Sequence, residues 1–127
     1  MTREEFIGKY TEFAKVALVW AEKSRREGLL ALDDELDREK AYGNRDIFEY
    51  GMRFVVDGVS QDIIRGILSN IIEQEKDEYT RLFMTIQRAA VLTIQDGVNP
   101  HLIFLIMNSF TDLSLRDDPV GKEVLDD

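Results

Sequence analysis

An all-α fold, a small bundle of four to five helices joined as hairpins, is what this sequence predicts, and three observations carry the prediction. Apolar residues recur at three- and four-residue steps through nearly every stretch of the chain. Helix-starting residues stand ahead of those stretches, and Asp-Gly pairs close two of them. The composition, 44% hydrophobic and 32% charged with two prolines, is that of a folded, water-soluble, helix-rich chain and not a disordered one. At 127 residues there is one domain with a single modest core, expected over 1–115.

The first helix begins at a capping box, Thr2 with Glu5, in which the hydroxyl takes one free amide and the carboxylate reaches back to another. Phe6, Tyr10, Phe13, Ala14, Ala17, Leu18, Trp20 and Ala21 then mark one face, while Arg3, Glu4, Lys9, Glu12 and Lys15 sit largely elsewhere. This helix is expected to run from about residue 3 to the mid-twenties or thirties. The stretch "DREKAYGN" (37–44) reads as a loop, with Gly43-Asn44 as its turn signal. Asp46 and Glu49 form a second capping box ahead of Ile47, Tyr50, Met52, Phe54, Val55 and Val56, and Asp57-Gly58 stops that helix.

Ser60 is expected to cap the next helix, with Asp62 favourably placed in its first turn. Its apolar pattern runs from Ile63 to Ile72 and resumes from Leu82 to Ile94. Residues 60–95 are therefore one long helix or two, and no residue between 73 and 81 reads as a breaker. Asp96-Gly97 ends this stretch. Asn99 caps a last helix whose first residue is Pro100, where a missing amide costs nothing. The triplet Asp-Gly-Val occurs at 57–59 and 96–98 and reads as one helix-stopping device used twice, with Gly58 and Gly97 as structural turns. Beyond Leu115 the chain becomes an acidic tail, 116–127, expected to be flexible.

Several classes of function are disfavoured at this level. A net charge of -9 argues against nucleic acid, which needs a neutralising basic surface, and disfavours anionic membranes for the same reason. Basic protein patches are the partners such a charge suits. No run of about 18 apolar residues is present, so membrane insertion is not expected, and "HLIFLIMNSF" reads as a core helix. "MTREEF" carries no secretion signal pattern. With no cysteine and a single histidine, His101, a transition-metal site is not expected. The acids Asp33, Asp34, Glu35, Asp37 and Glu39 fail as a calcium loop, because Arg38 and Asn44 stand where glycine and a bidentate glutamate are needed. Gly121-Lys122 lacks the rest of a phosphate loop, and no serine sits in a nucleophile-elbow pattern. The expectation is a protein that is not an enzyme and carries no cofactor or metal.

The segment "AEKSRREGLLALDDEL" (21–36) packs charges of both signs around a glycine. Glu22 with Arg26 and Lys23 with Glu27 are four apart and able to pair across a turn, which explains solubility but not Gly28. The core of this segment, "KSRREGLLALDDEL", resembles the cytoplasmic segment of the flagellar motor stator family MotA, within the wider proton-channel family of TolQ and ExbB. "DIFEYGMRFVVDGVSQDIIRGILSNIIEQEKDEY" is similar to the family's next block, so the likeness covers 21–79 in order and spacing.

The resemblance implies that Arg25 and Asp33 belong to a charged surface facing the rotor protein FliG, with Arg26, Glu27 and Asp34 beside them, and that Gly28 is a structural turn or a close approach between helices, a rigid corner presenting these charges. It implies a flagellar motor protein, rotor or stator, as partner. It also implies a cytoplasmic location, peripheral to the inner membrane at the motor. The family's membrane-spanning helices have no counterpart in "REEFIGKYTEFAKVALVWAEK" or in the residues after Tyr79, so the expectation is an adaptor module and not a proton channel. The alternative is a generic helical interaction module, self-associating as a homo-oligomer through the apolar residues 102–110.

Overall fold

The computed structural model describes residues 1–36 and 46–113, and among them every regular element is a helix. The loop expected over 37–44 and the tail over 116–127 lie outside the described residues. Helix α1 is Arg3–Glu27, and its capping box is complete. The Thr2 hydroxyl accepts from the Glu5 amide at 3.1 Å, and the Glu5 carboxylate accepts from the Thr2 amide at 3.3 Å. Its buried face is Phe6, Tyr10, Phe13, Ala14, Ala17, Trp20, Ala21 and Ser24.

α1 ends at Gly28, whose amide donates to the Ser24 carbonyl at 2.8 Å. With φ at +94°, Gly28 occupies backbone space that a side chain disfavours, and a Cβ there would meet no other atom. Of the two roles open to this glycine, it therefore makes the tight turn and not a close helix contact. A 3₁₀ helix, Leu29–Glu35, folds back from it. Leu32 and the following Leu36 are buried against α1 and α2.

Helix α2, Ile47–Val56, is capped by Asp46, which accepts from the Phe48 amide at 2.9 Å. The same carboxylate oxygen accepts from the Gln87 side chain at 3.1 Å and so ties the start of α2 to a later helix. The close helix approach occurs at Gly51. A Cβ at this position would lie 2.9 and 3.0 Å from the Val91 methyls and 3.1 Å from a Leu68 methyl.

Residues 60–95 form two helices, α3 (Gln61–Glu73) and α4 (Glu78–Gln95). The break is made by Asp77, whose carboxylate accepts from the Thr80 amide at 2.9 Å and the Thr80 hydroxyl at 2.7 Å. Arg81 Nε also donates to the Glu75 carbonyl at 2.9 Å, satisfying an acceptor the break leaves open. The expectation that nothing in this stretch breaks the helix is thus corrected. Apolar periodicity survives the break because both helices face the same core.

Ser60 stands at the cap position of α3, but its side chain makes no capping bond. That end is held instead by Gln61, donating to the Leu92 carbonyl at 3.1 Å, and by Gln95, donating to the Val59 carbonyl at 3.0 Å. Both Asp-Gly-Val triplets end their helices in the same way. Gly58 and Gly97 take φ of 79° and 71°, and the valine amide reaches back to Phe54 in one case and Thr93 in the other, the Schellman pattern.

Helix α5, Pro100–Asn108, starts at Asn99, which accepts from the His101 amide at 2.8 Å. It packs on α1 and α4, and the buried Tyr10 hydroxyl donates to Asn108 at 2.9 Å. Helix α4 touches all four other α-helices, so it is the axis of the bundle. Against it lies an aromatic cluster in which Phe48 meets Phe13 and Trp20 at 4.9 Å between ring centres, and Phe13 meets Phe83 at 5.6 Å.

Two glycines of helical interiors are expected to respond oppositely. Gly51→Val overpacks a site with no room and should cost about 1–3 kcal/mol of stability. Gly66→Ala, on the exposed side of α3 where a Cβ meets nothing, should gain roughly 0.4–1 kcal/mol; urea unfolding followed by circular dichroism measures both.

Asp77 predicts an acid transition. The Thr80 hydroxyl and amide, helped by the Met1 ammonium at 3.1 Å, lower its carboxyl from 3.8 to about 2. A carboxyl depressed in the folded state stabilises fully above its unfolded value and loses that contribution as pH falls through the folded one. The thermal midpoint should therefore drop between pH 3.8 and about 2, and Asp77→Ala should remove that part of the slope.

Candidate functional site

The corner formed by the end of α1 and the 3₁₀ helix gathers most of the residues that the sequence singles out. Its local shape follows from local rules. Gly28 turns the chain, Leu32 and Leu36 bury, and the polar residues between them stay outside. Two ion pairs fasten it. Lys23 on α1 meets Glu35 at 2.9 Å, and Arg53 on α2 meets Asp33 at 3.0 Å while also meeting Asp57 at 3.2 Å. The hydrogen bond to Glu35 raises the Lys23 ammonium above its ordinary value, by favouring its charged form.

Lys23 thus pairs across the corner and not with Glu27 along its own helix, whereas the expected Glu22–Arg26 pair is present at 3.9 Å. Arg25, Arg26, Glu27 and Asp34 are all exposed. Asp33 differs from them. It is half-buried and engaged with Arg53, so the two charges expected together on a partner-facing surface, Arg25 and Asp33, are in different environments. Sequence reasoning missed Arg53 as the partner of Asp33. The available signal was an arginine four residues before Asp57 in a helix that is otherwise mostly apolar.

It also missed Leu30. This side chain is 76% exposed and stands next to the Gly28 turn among the charges, more exposed than any other large hydrophobic described. Gly58 and Gly97 terminate α2 and α4 and serve as helix ends.

The apolar run at 102–110 is mostly interior. Ile103, Phe104 and Met107 are fully buried, and Leu102 and Phe110 are left partly outside. His101 is exposed at the start of α5. A groove of about 1020 Å³ opens between α1, the start of α2 and the α3–α4 turn. Phe13, Val16, Trp20, Phe48, Phe83 and Met84 line it, together with Lys9, Glu12 and Glu75. Among the described residues no three His, Cys, Asp or Glu side chains gather as a metal site, and no helix is long and apolar enough to cross a membrane.

The fold and this corner define a helical bundle with a charged corner between two ion-paired elements. Comparison with known proteins narrows it to a MotA-like relationship. The chain is 33% identical over 111 residues to motility protein A of Borreliella burgdorferi, a match covering 81% of this chain and 41% of that protein. It is 35% identical over 72 residues to motility protein A of Treponema phagedenis, covering 57% of this chain and 26% of that protein. Against motility protein A of Bacillus subtilis it is 34% identical over 80 residues, covering 62% and 25%. These matches span less than half the length of the curated relatives. No family model and no solved structure matches the chain.

Arg26 and Asp34 lie on a surface whose exposed charges contribute little to folding. Arg26→Glu and Asp34→Lys should each leave stability within about 0.5 kcal/mol of the wild type in urea unfolding, so any loss of binding they cause is a surface effect.

Proposed function

We propose that this chain is an interaction module of the flagellar motor, working as the cytoplasmic part of a stator-like protein and docking on a motor protein through its charged corner. The observation that carries this reading is the likeness to motility protein A from three bacteria. Arg25, Arg26, Glu27 and Asp34 are the contact charges, with Leu30 as an apolar contact among them. Their exposure and their mixture of signs support a docking role, since such residues fold at little cost and dock in register with opposite charges.

The partner is a rotor or stator component whose surface carries acids against the arginines and a base against Asp34. The place of action is the cytoplasmic face of the inner membrane at the motor. The module acts by contact and not by catalysis, and needs no cofactor.

Co-sedimentation with purified flagellar basal bodies at low and high salt tests the proposal, comparing wild type with Arg25→Asp combined with Asp34→Arg. Wild-type chain should sediment with the basal bodies at low salt, and binding should weaken as salt screens exposed charges. The double variant should bind at least about tenfold less, a loss of roughly 1.4 kcal/mol. Binding that ignores both salt and the charge reversal, or no binding by the wild type, would sink the assignment.

A further inference from the structure

The pairing of Asp33 with Arg53 separates the part of the corner that is held from the part that is displayed. Only 12% of the Arg53 side chain is exposed, against 32% for Asp33, and the guanidinium NH1 lies 3.0 Å from the carboxylate. Arg53 Nε also lies 3.2 Å from Asp57, the residue that caps its own helix. The guanidinium is therefore engaged by two carboxylates at once, which its planar fork of donors allows and a lysine ammonium would not reproduce.

This arrangement closes a connection of 20 residues and fastens the 3₁₀ helix to α2 where Leu32 and Leu36 are buried. The opposite edge is fastened by Lys23 and Glu35, a more open pair whose members are 21% and 42% exposed. Solvent compensates the loss of an open pair. Removing Asp33 instead leaves a largely desolvated guanidinium with less compensation. By contrast Arg25, Arg26, Glu27 and Asp34 are exposed, so none of them is needed to hold the corner together.

We infer that Asp33 is a positioning residue: paired with Arg53, it sets how Leu30 and Asp34 stand relative to Arg25 and Arg26, and it acts on a partner only through that geometry. The inference rests on the proposed function in taking this corner as the docking surface. It departs from the resemblance in the sequence, which hands Asp33 directly to the partner. Neighbours in sequence, Asp33 and Asp34, thereby take different tasks, because successive residues of a helical turn point in different directions.

The test uses the full chain with Asp33→Asn, Arg53→Gln, and the exchanged pair Asp33→Arg with Arg53→Asp, in which the new arginine faces two acids at 53 and 57. Hydrogen exchange of the amides at 29–36 reads the corner, and co-sedimentation with basal bodies reads the surface. Each single variant should speed exchange at 29–36 by about tenfold or more and lower binding, although all four exposed charges remain. The exchanged pair should return both readings to within about threefold of the wild type.

Exchange at 29–36 unaltered by Asp33→Asn would overturn the inference. So would an exchanged pair that restores protection while binding stays lost, since Asp33 would then be a contact in its own right. Wild-type chain that fails to bind basal bodies would remove the proposed function, while the exchange rates would still decide whether the pair holds the corner.

Discussion

The closeness of α2 to α3 and α4 is the constraint on which the rest of this structure depends. Gly51 has no side chain, and the Val91 and Leu68 methyls occupy the space where one would be. Interiors pack at the density of crystals, so a single methyl at this contact would force helices apart. Because α2 sits this deep, Phe48 reaches Phe13 and Trp20 of α1, and Met52 and Val55 enter the core. Arg53, two residues after the glycine, is carried beneath the 3₁₀ helix by the same seating. The position of the charged corner is thus a consequence of a contact within the apolar core.

Electrostatics then sorts the corner by depth. Exposed pairs such as Arg26 with Glu22 contribute about 0–1 kcal/mol and are weakened by salt, so those side chains are available for exchange with a partner's charges. Arg53 has lost most of its water and depends on Asp33 and Asp57. On a chain of net charge -9, this corner displays two adjacent arginines among exposed acids, so both signs are presented side by side. Such a patch orients an approaching partner more than it attracts one.

Much of the local structure was legible because it depends on short-range chemistry. Thr2 with Glu5, Asn99 with Pro100 and the two Asp-Gly-Val triplets act within one turn of chain, and each forms the motif its residues suggest. Asp77 with Thr80 acts over the same range and could have been read, but the apolar periodicity on either side masked it. Ser60 shows the converse. A good capping residue makes no capping bond, and that end is held instead by Gln61 reaching a carbonyl of α4 and by Gln95 of α4 reaching a carbonyl of the turn before α3.

By itself the sequence determined the helical class, the stripe of each helix that turns inward, most helix ends and the collection of charges around Gly28. Those properties follow from periodicity, capping and backbone freedom, which act between residues a few positions apart. Only the tertiary structure decided that Gly51 is the close contact and Gly28 the turn, that Lys23 joins Glu35, and that Asp33 faces inward to Arg53 while Asp34 faces out. Charge and glycine content look the same along the chain whether a residue ends at the surface or against a neighbour. Burial and long-range pairing distinguish them, and both exist only once distant helices have met.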